Sequence, residues 1–132
     1  MKAHIQTEPR TVLLWRFGPG AAGYDALERA ARSYRLTIRP VDESLLSATI
    51  GDLCAGLART GDPLPAPTER AAMIVSGLRR DNGDLNAFLD ELKRAGAVIP
   101  LRAMVTPTSR GWTLGQLLGE LGAEHDALEG GK

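Results

Sequence analysis

The side chains with the clearest potential for chemistry are arginines and hydroxyls that stand beside predicted turns. Gly18-Pro19-Gly20 and Arg79-Arg80-Asp81 each follow an apolar segment, and Thr106 to Trp112 concentrates hydroxyls, one arginine and one aromatic ring. Backbone N–H groups at a helix start favour anions, and guanidinium groups add charge-assisted donors. We therefore predict a site for a small phosphate- or carboxylate-bearing ligand. Its residues are Gly18, Gly20, Arg79, Arg80, Arg102, Thr106, Thr108 and Arg110.

Each of these segments also has a purely structural interpretation. Gly18-Pro19-Gly20 lacks the glycine spacing and the lysine of nucleotide-binding loops, so it can be an ordinary turn. The hydroxyls before Trp112 can cap the helix that follows, while the indole packs back against that helix. If the indole is exposed instead, Trp112 is a candidate contact for a protein partner.

The sequence shows no convergent set of groups for catalysis or metal binding. Its serines lack the G-x-S-x-G pattern of a nucleophile elbow. Glu120 and Glu124 are one helical turn apart, but His125 points about 100° away from its neighbour, whereas zinc needs three or four convergent ligands. Cys54 falls at an apolar helix position, which predicts a small buried residue. We predict no catalytic residue, no metal and no cofactor.

Composition narrows the class of protein. A chain of 132 residues with 43% hydrophobic and 24% charged residues is typical of one globular domain. A formal net charge of zero argues against nucleic-acid binding, which requires a basic surface. The single cysteine cannot form an internal disulfide and favours the cytoplasm. No segment has the apolar run of a signal peptide or of a membrane span, so we expect no membrane partner.

A repeated order of segments indicates how the chain is organised. Thr49-Ile50-Gly51-Asp52-Leu53 returns as Thr113-Leu114-Gly115-Gln116-Leu117, and upstream Leu13-Leu14-Trp15 aligns with Met73-Ile74-Val75. An internal repeat constrains a fold strongly. We predict a flexible tail over residues 1–10 and one domain over 11–128. That domain consists of two repeats, 11–57 and 71–125, joined by a proline-rich linker over 58–70.

Each repeat has the order strand, helix, strand, helix, which favours an α/β fold. We predict one four-stranded, largely parallel sheet flanked by helices. Pro40 and Pro100 cannot donate hydrogen bonds to a neighbouring strand, so their strands belong at the edges and the order is 2-1-3-4. The alternative is an α+β sandwich with a mixed sheet, formed if the linker turns the second repeat over. In the parallel sheet all strand ends share one rim, where the two predicted turns would enclose a crevice.

Several motifs of the second half occur in a recognisable order. They are Ser76-Gly77, Phe88-Leu89, Arg102 to Thr108, Trp112-Thr113-Leu114 and Glu124-His125. Through them the segment from Met73 to His125 resembles a family of small bacterial domains of unknown function. This resemblance implies no activity, so it assigns no catalytic role.

These observations favour a small cytoplasmic binding or regulatory module without catalytic activity. It would bind a protein partner, or a second copy of itself, through a sheet edge or through Trp112. The alternative is an enzyme or sensor for a small anionic ligand at the rim of strand ends.

Overall fold

The computed structural model describes residues 9–79 and 81–130, with side chains as far as residue 128. The predicted tail over 1–10 therefore lies almost entirely outside the described residues. Two short 3-10 turns, Glu43–Leu45 and Ser109–Gly111, precede the second and fourth helices. The strands and helices of the described residues are β1 (Thr11–Trp15), α1 (Tyr24–Ser33), β2 (Thr37–Val41), α2 (Ile50–Ala55), β3 (Ala72–Ser76), α3 (Asp84–Arg94), β4 (Leu101–Met104) and α4 (Leu114–Gly130).

The four strands form one mixed sheet in the order β2-β1-β3-β4. β1 runs parallel to β2 and β3 runs parallel to β4, but the central pair, β1 and β3, is antiparallel. The predicted α/β class and strand order are confirmed, whereas the largely parallel sheet is wrong. Because β1 and β3 are buried at every residue, their apolar runs do not indicate whether the two strands run parallel or antiparallel. The mixed sheet of the alternative prediction is the one that forms.

The sheet lies between two helical layers, each with its own apolar core. Val12 and Leu14 face α1 and α3, while Leu13 and Trp15 face α2 and α4. The aligned residues Leu13 and Met73 fall on opposite faces, so the sequence alignment of the two strands is shifted by one residue. A shift of one residue reverses every side chain of a strand, because side chains alternate between faces. Leu13 instead shares its face with Ile74, which lies directly opposite in the sheet.

The starts of α2 and α4 are joined by reciprocal hydrogen bonds. Ile50 N–H donates to the carbonyl of Trp112, and Leu114 N–H donates to the carbonyl of Ala48, each at 2.9 Å. The two segments whose sequences match are therefore in direct contact with each other.

Threonine caps both of these helices, as the sequence predicts. Thr49 Oγ1 accepts a hydrogen bond from the N–H of Asp52 at 3.2 Å. Thr113 Oγ1 accepts one from the N–H of Gln116 at 3.1 Å. Each bond satisfies an N–H group of the first turn that has no partner within its helix.

The first and third helices begin at glycines with a left-handed backbone, but only one of these glycines lies in a crowded position. Gly23 has φ 85° and Gly83 has φ 86°. A Cβ on Gly23 would lie 2.5 Å from Cα of Ala97, whereas a Cβ on Gly83 would meet nothing within 4 Å. The start of α1 therefore packs backbone to backbone against the segment that follows α3.

We expect Gly23→Ala to destabilise the domain more than the matched change Gly83→Ala. Both replacements incur a left-handed backbone strain of about 1–2 kcal/mol. Only Gly23→Ala adds the overpacking against Ala97, which costs a further ~1–3 kcal/mol. Urea unfolding of both variants measures the difference. Equal losses of unfolding free energy would show that Ala97 does not approach Gly23 closely in solution.

Candidate functional site

The antiparallel pairing of β1 with β3 separates the two predicted ligand-binding turns. Trp15, at the end of β1, lies opposite Ala72, at the start of β3. Gly18 and Gly20 therefore lie at one end of the sheet and Arg79 at the other. The predicted crevice between them does not form, because it required all strands to end at one rim. Arg80, the fourth residue of that crevice, lies outside the described residues.

Two arginines, one at each end of the sheet, already have carboxylate partners. At the end with Gly18, Arg16 binds Glu43 at 2.6 Å and Glu69 at 3.0 Å. At the other end, Arg79 contacts Asp81 through two nitrogens, at 3.0 Å and 2.6 Å. Hydrogen bonds from these arginines lower the pKa of Glu43 and of Asp81. Arg16 and Arg79 therefore each lie beside a negative charge that competes with an anionic ligand.

In the loop before α4, hydroxyl groups hold the turn together. The N–H of Thr106 donates to Ser109 Oγ at 2.9 Å, and the N–H of Ser109 donates to Thr106 Oγ1 at 3.0 Å. Thr108 is exposed, and its side chain makes no capping hydrogen bond. Trp112 is half-buried and packs against the core beneath α2 and α4. These hydroxyls therefore stabilise their own turn and do not cap α4, which Thr113 caps instead. The inward packing of Trp112 agrees with its structural interpretation and leaves much of the indole unavailable to a partner.

Arg110 lines a groove between α2 and the turn Ser109–Gly111, which we call the α2 groove. Its volume is about 460 Å³, and Thr49, Cys54, Ser76 and Arg110 contribute to its lining. A Cβ on Gly51 would lie 2.7 Å from Cγ of Arg110, so the arginine stem crosses the first turn of α2. Ser76 is 1% exposed, and its hydroxyl has no oxygen or nitrogen partner among residues 9–79 and 81–130.

Cys54 is buried in the wall of this groove, at 3% exposure. Burial raises the pKa of its thiol, while the neighbouring Ser76 hydroxyl and the positive charge of Arg39 act in the opposite direction. Because the thiolate is the reactive form of cysteine, a raised pKa makes Cys54 a poor nucleophile at neutral pH. The predicted burial of Cys54 is confirmed.

The raised pKa of the buried thiol makes the free energy of unfolding fall as pH rises into the alkaline range. An unfolded cysteine ionises with a pKa of about 8.5, while folded Cys54 stays protonated to higher pH. The contribution of the protonated thiol to stability is fully present below the pKa of Cys54 in the unfolded chain. It is lost as pH rises through the pKa of Cys54 in the folded chain. We expect the unfolding free energy of the wild type to fall more steeply above pH ~8.5 than that of Cys54→Ala. Denaturant titrations in reducing buffer measure both slopes, and parallel slopes would contradict this.

A second groove, the α3–β4 groove, runs between α3 and strand β4. It consists of two adjoining depressions of about 350 and 120 Å³. Lys93 and Arg102 are the cations of its lining, and no lining residue carries a carboxylate. The apolar residues that line it are Met73, Val75, Leu85, Leu89, Leu92, Ala97, Val98, Ile99, Pro100, Ala103 and Met104.

The predicted ligand residues Arg102 and Arg110 therefore belong to different places. Arg102 lies on the face of the sheet that carries α3, whereas Arg110 reaches α2 on the opposite face. With Gly18 and Arg79 at opposite ends of the sheet, the predicted set does not converge on one site.

Beside the α3–β4 groove, the outer edge of β4 has free main-chain groups. Leu101 N–H donates to the carbonyl of Ala71 at 3.2 Å, and Val105 N–H donates to that of Val75 at 2.8 Å. Because alternate residues of a strand point their N–H groups in opposite directions, those of Arg102 and Met104 point away from β3. In the described part of the chain, no strand pairs with this edge.

The other edge of the sheet is interrupted by a proline. In β2, Thr37 N–H donates to the carbonyl of Arg10, so the backbone nitrogens at positions 38 and 40 point away from β1. The outward residue at 40 is Pro40, which has no N–H group and protects the edge from further pairing. Pro100 precedes β4 and blocks none of its residues. The sequence shows both prolines, but only the bounds of the strands reveal that Pro40 lies within β2 and Pro100 lies before β4.

Residues 71–128 match the model of one protein family, which is described as a domain of unknown function (DUF3783). This match agrees with the resemblance found between Met73 and His125, and it includes the whole α3–β4 groove. No curated protein and no solved structure matches the chain. Within residues 9–79 and 81–130, no helix is both long and apolar enough for a transmembrane span. Over the same residues, no three potential metal ligands among His, Cys, Asp and Glu come together.

Proposed function

We propose that this chain, with its match to a domain family of unknown function, is a protein-binding module that adds an extended partner segment beside β4. The observation that carries the proposal is the outward N–H groups of Arg102 and Met104 next to an apolar groove. In strand addition, main-chain hydrogen bonds supply affinity and pockets for alternate side chains supply specificity.

The groove lies where an added strand would direct its side chains. Arg102 and Met104 pair with Met73 and Val75 of β3, whose side chains belong to the core beneath α3, so their own side chains stand on that face of the sheet. Every second residue of an added strand would project over the same face. Met104 and Leu89 are half-buried and Val98 is 76% exposed, which leaves apolar surface for a partner to cover. Covering it contributes about 25 cal/mol per Å².

The chemistry of the two grooves favours binding over catalysis. The α3–β4 groove offers apolar walls and two cations, and the thiol in the α2 groove has a raised pKa. We propose that the module acts in the cytoplasm, because a reducing compartment suits a protein whose single cysteine is a free, buried thiol.

We also propose that residues 11–57 and 71–125 are two copies of one ancestral unit, joined by the segment 58–70. The shared order of elements, the matching threonine caps and the reciprocal hydrogen bonds between α2 and α4 support this.

Met104→Pro should abolish peptide binding, whereas the matched variant Met104→Ala should retain it. Both replacements shorten the side chain, but only proline removes the outward N–H and obstructs an approaching strand. The β3–β4 hydrogen bonds do not use the Met104 N–H, so thermal unfolding of the two variants should be similar. The probes are twelve-residue peptides selected by phage display against the wild-type protein. We expect at least a tenfold loss of affinity for Met104→Pro by fluorescence anisotropy.

Amide hydrogen exchange on the same complexes gives a residue-specific readout. The amides of Arg102 and Met104 should become protected when peptide binds, because they acquire hydrogen-bond partners. Selected peptides that bind Met104→Pro as tightly as Met104→Ala, or a selection that enriches no peptide, would overturn the proposal.

The second candidate function is a sensor for a small anion, which we place at the α2 groove. The observation that favours it is the buried Ser76 hydroxyl, without an oxygen or nitrogen partner in the described part of the chain, in a groove that Arg110 also lines. Among the predicted ligand residues, Arg110 would supply the charge, because the structure does not bring the others to this groove.

Phosphate should raise the melting temperature of the wild type if this second function is correct, since a ligand bound only by the folded state stabilises it. Arg110→Met, which retains the apolar stem, should lose the shift, and Arg102→Met on the opposite face should keep it. The comparison is made at millimolar phosphate against sodium chloride of equal ionic strength. An unchanged wild-type melting temperature removes this candidate.

A further inference from the structure

The cations of the α3–β4 groove are concentrated at one end. Lys93, in the last turn of α3, lines the depression that includes Val98 and Pro100, just before β4 begins. The adjoining depression reaches Leu85, in the first turn of α3, and Met104, at the end of β4. Arg102 lines both depressions. The groove therefore has two cations near the start of β4, whereas the depression near the end of β4 has Arg102 as its one cation and otherwise apolar lining residues.

This distribution of charge restricts what can occupy the groove, if strand addition beside β4 is accepted as its function. We infer that the bound segment is acidic where it passes the start of β4 and aliphatic where it passes the end. A carboxylate placed near Lys93 and Arg102 meets two positive groups and no carboxylate of the groove lining. Aliphatic side chains placed over Leu85 and Met104 cover apolar surface.

A second copy of this chain does not provide that complement. Antiparallel pairing of β4 with its own copy would bring the Arg102 side chains of both copies onto one face, within the reach of neighbouring cross-strand side chains. Like charges in such positions destabilise a strand pair. The copy would also bring its own Lys93 and no groove-lining carboxylate. The occupant is therefore a segment of a different protein.

Four synthetic peptides test the inference. Each is a ten-residue, acetylated and amidated sequence of alternating valine and threonine, with two charged residues at alternate positions near one end. Two peptides carry glutamate, at the amino or the carboxyl end, and two carry lysine at the same positions. Both orders are needed because an added strand can run in either direction along β4.

Three proteins are compared with these probes: the wild type, the charge-reversed Lys93→Glu/Arg102→Glu, and the control Arg29→Glu/Arg32→Glu. The control reverses two exposed arginines on α1 and changes the net charge by the same amount. We expect the wild type and the control to bind one glutamate peptide at least tenfold more tightly than its lysine counterpart. The variant altered at Lys93 and Arg102 should reverse this preference.

The possible failures are distinguishable. Equal binding of glutamate and lysine peptides by the wild type, with binding lost in Met104→Pro, would overturn the acidic pattern and leave strand addition intact. Absence of binding by every peptide selected or synthesised would overturn strand addition itself. Sedimentation equilibrium that shows a wild-type dimer, lost in Met104→Pro and kept in Met104→Ala, would replace the foreign segment with a second copy.

Discussion

The antiparallel pairing of β1 with β3 is the constraint on which the rest of the structure depends. Both strands are buried along their whole length, and their side chains supply the centres of both apolar cores. This pairing decides which loops share an end of the sheet, and it leaves β2 and β4 as edges. It also brings the starts of α2 and α4 close enough for direct hydrogen bonds. The two grooves described above lie on opposite faces of the sheet that this pair of strands organises.

The sequence predicts the elements and their order because those depend on local signals. Apolar runs mark the strands, Thr49 and Thr113 mark helix starts, and Pro40 marks an edge. The direction of a strand has no comparable signal, because a strand that is buried on both faces is apolar whichever way it runs. The crevice predicted between the two turns does not form, since it requires parallel strands that all end on one side of the sheet. Among the predicted ligand residues, Arg79 pairs with Asp81 and Thr106 pairs with Ser109, and these partners are close enough in the sequence to be anticipated from it.

The proposed function depends on the difference between the two sheet edges and not on the similarity between the two halves. Pro40 removes a donor from the edge of β2, whereas Met104 retains its donor on the edge of β4. An unprotected edge strand invites association, and natural proteins usually cover or interrupt it. Here the open edge coincides with an apolar groove and two cations. The binding hypothesis depends on that coincidence of an open edge, an apolar groove and two cations.

The reciprocal bonds between Ile50 and Trp112, and between Leu114 and Ala48, have a consequence for how such a chain can be assembled. An interface in which each side gives and receives the same bonds is isologous, the form that two identical subunits adopt about a twofold axis. A half released as a separate polypeptide would present the same donors and acceptors to its own twin. Fusion of a symmetric homodimer into one gene would preserve those contacts, and the fused copies would then be free to diverge at their outer strands.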